Sequence, residues 1–543
     1  MSNYKKTIIQ NITLYSLAIF TFPSLTFGSE PIQFTNSTGG DIERFRLDPT
    51  SQYIIFNEFN SSRQLNRFST QIDGKSETIQ IANDLDSAED NFWIDPDDLR
   101  VLNRESNADD SSIQGNIRIT EINGLTPSIF IPSPQGEDIN RINTIDENTN
   151  FVMFSTNGNG LYSTLIDGSS EIFDLTNGIE SNHAVDRFRI TRDRQRVIFS
   201  AEILDTRRFQ LFVTNIDGSS TPTLITELPE NTDTNGNTVV SNVTDTIAIY
   251  NTRTFLGNGV EAIQIFSVTI AENSAPIALS EPLIGDNLDV TFSAVQDDLV
   301  IYINENIDTG VSELYVSPID GSSSPILIDS GISIHHFDGN GDSRTLVYSI
   351  TEPISNSSNH TVLKSISLDN VENESPVIIS QLNGNIGDNI DTSIDFVVSN
   401  DDRFVFYADD SVSPKRFMRA SINNSSPLVR IVGARNNIRI AEGSPLEISN
   451  NNVFFIGHDL EQANQDGTQI FSSPINSSNV ITTITEVSSA TINDFDITQN
   501  GQFAAYTSED DNGLVNLFSL RLPEAETCFP IESKTNDISI ICF

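Results

Sequence analysis

One hairpin recurs ten times along this chain, and that recurrence limits the possible folds more than any other feature. Copies include "FRLDPTSQYIIF", "FRITRDRQRVIFS", "FVVSNDDRFVFYA" and "FDITQNGQFAAYT": an apolar strand, a polar turn, then a strongly apolar strand. A third strand and a tight turn usually follow, as in "QLFVTNIDGSSTPTLIT" (Gln210 to Thr226) and "ELYVSPIDGSSSPILID" (Glu313 to Asp329). A fourth apolar run completes a unit of about fifty residues, the period of propeller blades. Second strands such as Val197-Ile198-Phe199 are apolar without alternation, so both of their faces are expected to be buried. Radial stacking of blades supplies that environment, and a lone blade cannot. The expectation is an all-β propeller of about ten four-stranded blades over residues 29–525, with no helical periodicity.

The turn between third and fourth strands carries Asp73-Gly74, Asp167-Gly168, Asp217-Gly218 and Asp320-Gly321. Gly supplies positive φ without steric cost, and Asp accepts from nearby backbone amides. Asn123-Gly124 and Asn423-Asn424 replace the pair elsewhere with residues that tolerate the same geometry. The pattern reads as backbone chemistry repeated for the fold, not as a repeated ligand loop.

The first hairpin paired with "L-[FY]-V-x-x-I-D-G-S" resembles the TolB-type propeller repeat, a relative of the WD-type blade. The resemblance runs from about Asp41 to Leu522. It implies a periplasmic propeller that binds partner proteins in the cell envelope. TolB itself carries an α/β domain ahead of its propeller; here only Ser29 to Gly40 precede the first blade, so that domain is expected to be absent. Related repeats form the non-catalytic propeller of prolyl-oligopeptidase-like enzymes.

Ten blades exceed the usual four to eight. Two tandem rings are therefore the favoured arrangement, with one ten-bladed ring as the alternative. After "NLFSLRL" in the tenth unit no clean fourth strand follows, and "EPIQFT" (Glu30 to Thr35) resembles the missing one. Pairing there would bring the two ends of the chain together.

"MSNYKK" followed by the apolar run Ile12 to Phe22 and small residues at Thr26 and Gly28 reads as an export signal over residues 1–28. No later segment reaches the ~20 apolar residues that a membrane helix needs, so no insertion is expected after signal removal. The only two cysteines, Cys528 and Cys542, lie in a tail over 526–543, and in an exported chain they are expected to form a disulfide. These features indicate a periplasmic or secreted protein. Seventy-five acidic against 30 basic residues give a net charge of −45, which argues against nucleic acid or anionic lipid as partners.

No G-x-S-x-G nucleophile motif is present, and the five histidines (His183, His335, His336, His360, His458) lack metal-ligand spacing. The single tryptophan, Trp93, occupies a first-strand position expected to be core. Asp338, Asn340 and Asp342 have a D-x-N-x-D spacing that could hold calcium, although sister blades place an ordinary turn there. Asp233, Asn235 and Asn237 repeat the pattern more weakly. No other cofactor is implied. The function expected is a non-enzymatic scaffold that binds a protein partner. The alternatives are a hydrolase or lyase with acidic residues in the propeller channel, or a calcium-dependent surface protein.

Overall fold

Ten antiparallel sheets of four or more strands follow one another in sequence, and each is one blade. The computed structural model describes residues 30–542 apart from a set of connecting segments, the longest being 106–115 and 380–395. Blade 1 sets the pattern with Ile42–Leu47, Tyr53–Phe59, Leu65–Gln71 and Ile79–Leu85, each strand paired to the next. In such a meander the turns joining strands 1–2 and 3–4 lie at one end. The hairpins joining strands 2–3 and the blade-to-blade connections lie at the other, which we call the loop face.

Second strands are buried on both sides, as their unbroken apolar runs require. Val197, Ile198 and Phe199 are all fully buried. Val197 and Phe199 pack toward blade 3, and Ile198 packs toward blade 5. Most blades also stack an aromatic of the second strand on one of the third. Phe56–Phe68, Phe199–Phe212 and Tyr506–Phe518 have ring centroids 5.4, 5.7 and 5.3 Å apart. Such pairs add to sheet stability beyond their buried area. The first strand of blade 2, Trp93–Asp95, holds Trp93 where the pattern places it, but its side chain lies outside the described residues.

The favoured arrangement of two tandem rings does not form; the chain makes one ring of ten blades. Each successive pair of blades shares a buried apolar cluster. A tenth cluster, with Ile42, Ile54 and Phe56 against Ala505 and Leu517, joins blade 1 to blade 10. Splitting the ring would require some blade to turn its apolar face away from its sequence neighbour. Blades 5 and 6 meet like any other pair, through Ile249, Ile265, Val300 and Tyr302. Blade number in a propeller follows from small changes in wedge angle between near-identical interfaces, and the repeat pattern does not encode that angle.

Closure uses the strand that the tenth repeat lacks. Ile32–Gln33 pairs antiparallel with Val515–Arg521, in the register Ile32↔Ser519 and Gln33↔Phe518. Gln33 donates to Asn516 at 3.1 Å, and the Leu517 amide donates to the Thr35 hydroxyl at 3.1 Å. Outside the ring, Cys528–Glu532 and Ile538–Cys542 form a separate two-stranded hairpin.

Removing residues 30–35 should uncover the edge of Val515–Arg521 and cost about 3 kcal/mol or more in lost burial and hydrogen bonding. Calorimetry and limited proteolysis of the truncated chain check this; an unchanged melting temperature would show that this strand does not close the ring.

Candidate functional site

The Asp-Gly turns are structural, and the ring gives them a second reason. Gly74 and Gly218 sit at φ 68° and 66°, and their amides close turns onto Gln71 and Asn215. Asp73 and Asp217 accept the Lys75 and Ser219 amides at 3.1 and 3.0 Å, as Asp167 and Asp320 accept those of Ser169 and Ser322. A methyl group on Gly218 would come within 2.8 Å of Phe173, on the outer strand of blade 3. On Gly74 it would meet Ile32 of the closing strand at the same distance. Gly168 and Gly321 abut Ile129 and Ile277 of the blades before them. Each turn is thus seated on its predecessor. The isoleucine before the Asp is also tied across: Ser267 and Ser519 donate to the carbonyls of Ile319 and Ile72, both at 2.6 Å.

Asp338 ends the first strand of blade 7, while Asn340 and Asp342 lie outside the described residues. Asp233 is in a short edge strand, and Asn235 and Asn237 lie outside the described residues. Among the described residues no group of three or more His, Cys, Asp or Glu is arranged to hold a metal. His335 and His336 fall at a register shift in the first strand of blade 7, so the strict alternation expected of adjacent strand residues is interrupted there. Cys528 and Cys542 are direct cross-strand partners in the tail hairpin, and their side chains lie outside the described residues.

First strands line the channel, and where the ring closes they bring carboxylates from two blades together. Glu447, Asp496 and Arg46 occupy the same register position in blades 9, 10 and 1, opposite Phe454, Ala505 and Ile55. Each reaches the next blade. Glu447 Oε2 accepts the Ile497 amide at 2.9 Å, the Leu47 amide hydrogen-bonds Asp496, and Arg46 donates to the Phe92 carbonyl at 2.9 Å. Burial pushes the Glu447 carboxyl up to about 8, helped by the charges of Asp496 and Asp494 and opposed by the Ile497 amide. Asp494 and Asp496 are also raised by burial; Arg44 partly offsets this for Asp494, and the amides of Leu47 and Ile497 for Asp496. Glu447 is therefore held largely protonated at neutral pH, beside two carboxyl groups that burial also raises.

Blade 7 departs from the aromatic pairing. Tyr348 faces Lys364 where most sister blades place Phe or Tyr and blade 8 places Met418. Lys364 Nζ sits 2.7 Å from Asp329 of blade 6 and 2.5 Å from Glu352, and Tyr348 donates to Asp329 at 2.7 Å. Burial pulls the Lys364 ammonium down, but hydrogen bonds and charge from the two carboxylates outweigh it and leave it above its ordinary value. Burial and Asp329 raise the Tyr348 phenol strongly. The cluster is enclosed between blades and joins them.

Blade 5 departs in another way. Its central hairpin, Ile247–Gly257 and Val260–Thr269, is longer than most others and is flanked near its tip by two added strands, Thr232–Thr234 and Leu283–Gly285. The blade is therefore one six-stranded sheet that extends further at the loop face. The stem of the hairpin is polar, with Arg253 and Glu261 paired at 3.1 Å. Its tip is apolar and exposed: Phe255 and Leu256 are 48% and 54% accessible, and Ile284, on the added edge strand, is 57% accessible. Ile307 and Val311, on the equivalent hairpin of blade 6, are also exposed. A side chain on Gly285 would touch Leu288 and Asn306 of blade 6, so the two hairpins are neighbours. The sequence "TRTFLGNGVEA" carries this signal, but the run reads there as ordinary blade strand.

No protein-family model matches the chain. No curated protein sequence matches it. Among solved structures, one from a structural and mechanistic study of two prolyl endopeptidases is similar over 65% of this chain and 52% of its own. Identity is 10% and the TM-score is 0.33, and the chain spans about half the length of that structure. Among the described residues no helix is long and apolar enough to cross a membrane.

Two outcomes follow from the charged clusters. The folded chain holds the Glu447 proton more tightly than the ordinary value of 4.5, up to about 8. Across that interval the folded state binds more protons than the unfolded state, so stability falls as pH rises through it and levels off above. Thermal melts below, within and above the window should show this fall, and Glu447→Gln should flatten it; a stability that rises with pH there contradicts the assignment. Lys364→Ala leaves two partly buried carboxylates without their cation and should cost about 1–3 kcal/mol in a urea titration.

Proposed function

We propose that this chain is an exported, non-enzymatic β-propeller that binds another protein through its loop face. The observation that carries the reading is the long hairpin of blade 5, whose apolar tip residues Phe255 and Leu256 stand exposed. Soluble proteins seldom group large apolar side chains on a projecting element unless it meets a partner. The TolB-type character of the repeats supports placement in the cell envelope or outside the cell. The basic and apolar pattern of residues 1–28, read as an export signal, supports the same placement, and a Cys528–Cys542 disulfide would fit it, the two residues being cross-strand partners.

A second reading, a hydrolase or lyase working in the channel, is favoured by one observation. Glu447 is pushed up to about 8 beside Asp496, and a carboxyl held protonated near neutrality next to a second carboxyl suits general acid–base chemistry. Against it, each carboxylate accepts a backbone amide of the next blade, which is a structural occupation.

The readings separate by capture from envelope extract. Wild-type chain should retain a partner that a Phe255→Ser/Leu256→Ser variant of equal melting temperature loses. Equal capture by both would sink the loop-face reading. The exported chain should begin at Ser29, and non-reducing peptide mapping should recover Cys528 linked to Cys542.

A further inference from the structure

We infer that the partner surface seated on blades 5 and 6 is a cationic amphipathic segment of another protein: apolar side chains flanked by Lys or Arg. The inference rests on the loop-face reading above and specifies the chemistry of the partner. The tip of the blade 5 hairpin is built to project. Gly257, Asn258 and Gly259 have successive positive φ of 94°, 57° and 86°, and a side chain at Gly257 or Gly259 would meet nothing within 4 Å. The stem is held on both edges by added strands, so the tip is presented on a rigid support. Phe255 shares a sheet level with Glu261 and Gly285, and Gly285 abuts Asn306. The blade 6 hairpin that follows Asn306 carries Ile307 and Val311, which are 50% and 43% accessible, at the same loop face. Among the described residues, exposed Leu125, Phe130 and Val480 belong to blades elsewhere in the ring, while Ile277 and Leu327 lie on the outer strands of blades 5 and 6, away from the hairpin tips.

Charge decides what can cover this patch. Asp286 and Asp308 adjoin its residues and are exposed, Glu305 lies beside them half-buried, and the whole chain carries −45. A second copy of the chain would bring two acidic rims together, and an anionic lipid surface would be repelled. A partner with apolar anchors and a basic rim gains from both terms, because its charges need not be desolvated to reach the carboxylates at the edge.

Fluorescence anisotropy of the full chain with a labelled Leu/Lys amphipathic peptide, and with its Leu/Glu counterpart, tests the inference. The Leu/Lys peptide should bind, with affinity falling as salt rises. Phe255→Ser/Ile307→Ser should weaken it about tenfold or more, the loss typical of an anchor. Leu125→Ser/Val480→Ser should leave it unchanged. Equal weakening by both pairs of substitutions would mean diffuse attraction to a polyanion and would overturn the site. Equal binding of the Leu/Glu peptide would overturn the charge class. A concentration-dependent dimer abolished by Phe255→Ser in sedimentation would assign the patch to a second copy instead. Loss of envelope capture by Phe255→Ser/Leu256→Ser without Leu/Lys binding would defeat this inference and leave the loop-face reading standing.

Discussion

Burial of both faces of each central strand is the constraint from which the rest of this molecule follows. A second strand such as Arg196–Ile203 presents Val197 and Phe199 to one neighbour and Ile198 to the other. Neither face can be satisfied by its own blade, so every blade requires two neighbours, and the array is stable only when it has no ends. The N-terminal strand at Ile32–Gln33 answers that requirement by completing the blade made last in the chain. Ring closure is therefore a condition of stability here, not an ornament of topology.

The smaller interactions serve the same end. The glycine of each Asp-Gly turn leaves room for an aliphatic or aromatic side chain of the preceding blade, and serine hydroxyls tie neighbouring turns through a buried carbonyl. Where the ring closes, the inner wall uses charge for this purpose, with Glu447, Asp496 and Arg46 each bonded to the backbone of the following blade. Glu447 can occupy that position only by keeping its proton, because ionising it would set a buried charge beside two other carboxylates. Blade 7 solves a related problem differently, surrounding Lys364 with Asp329, Glu352 and Tyr348 where most of its sisters stack aromatic rings.

Function is sought where copies depart from the common blade without a structural reason. The Lys364 cluster has such a reason, since it is enclosed and joins two blades. The long hairpin of blade 5 has none: its stem is braced, yet its tip holds Phe255 and Leu256 about half exposed to solvent. An apolar tip on a polyanion is selective by construction, because contact area rewards any apolar partner while the surrounding carboxylates reject acidic ones.

The sequence by itself determined the blade. Two-sided apolar strands such as Val197-Ile198-Phe199, Asp-Gly turns and a missing tenth fourth strand are local patterns, and local backbone and burial preferences suffice to read them. The clasp at Glu30 to Thr35 was legible for the same reason, as an unpaired strand beside an incomplete sheet. Tertiary structure alone decided that ten blades make one ring, because the angle between neighbours comes from packing volumes at ten interfaces and leaves no periodic trace. It alone brought Glu447 and Asp496 together across blades and set Gly285 of blade 5 against Asn306 of blade 6. These are relations between residues distant in the chain, and composition and spacing carry no record of them until the sheets are stacked.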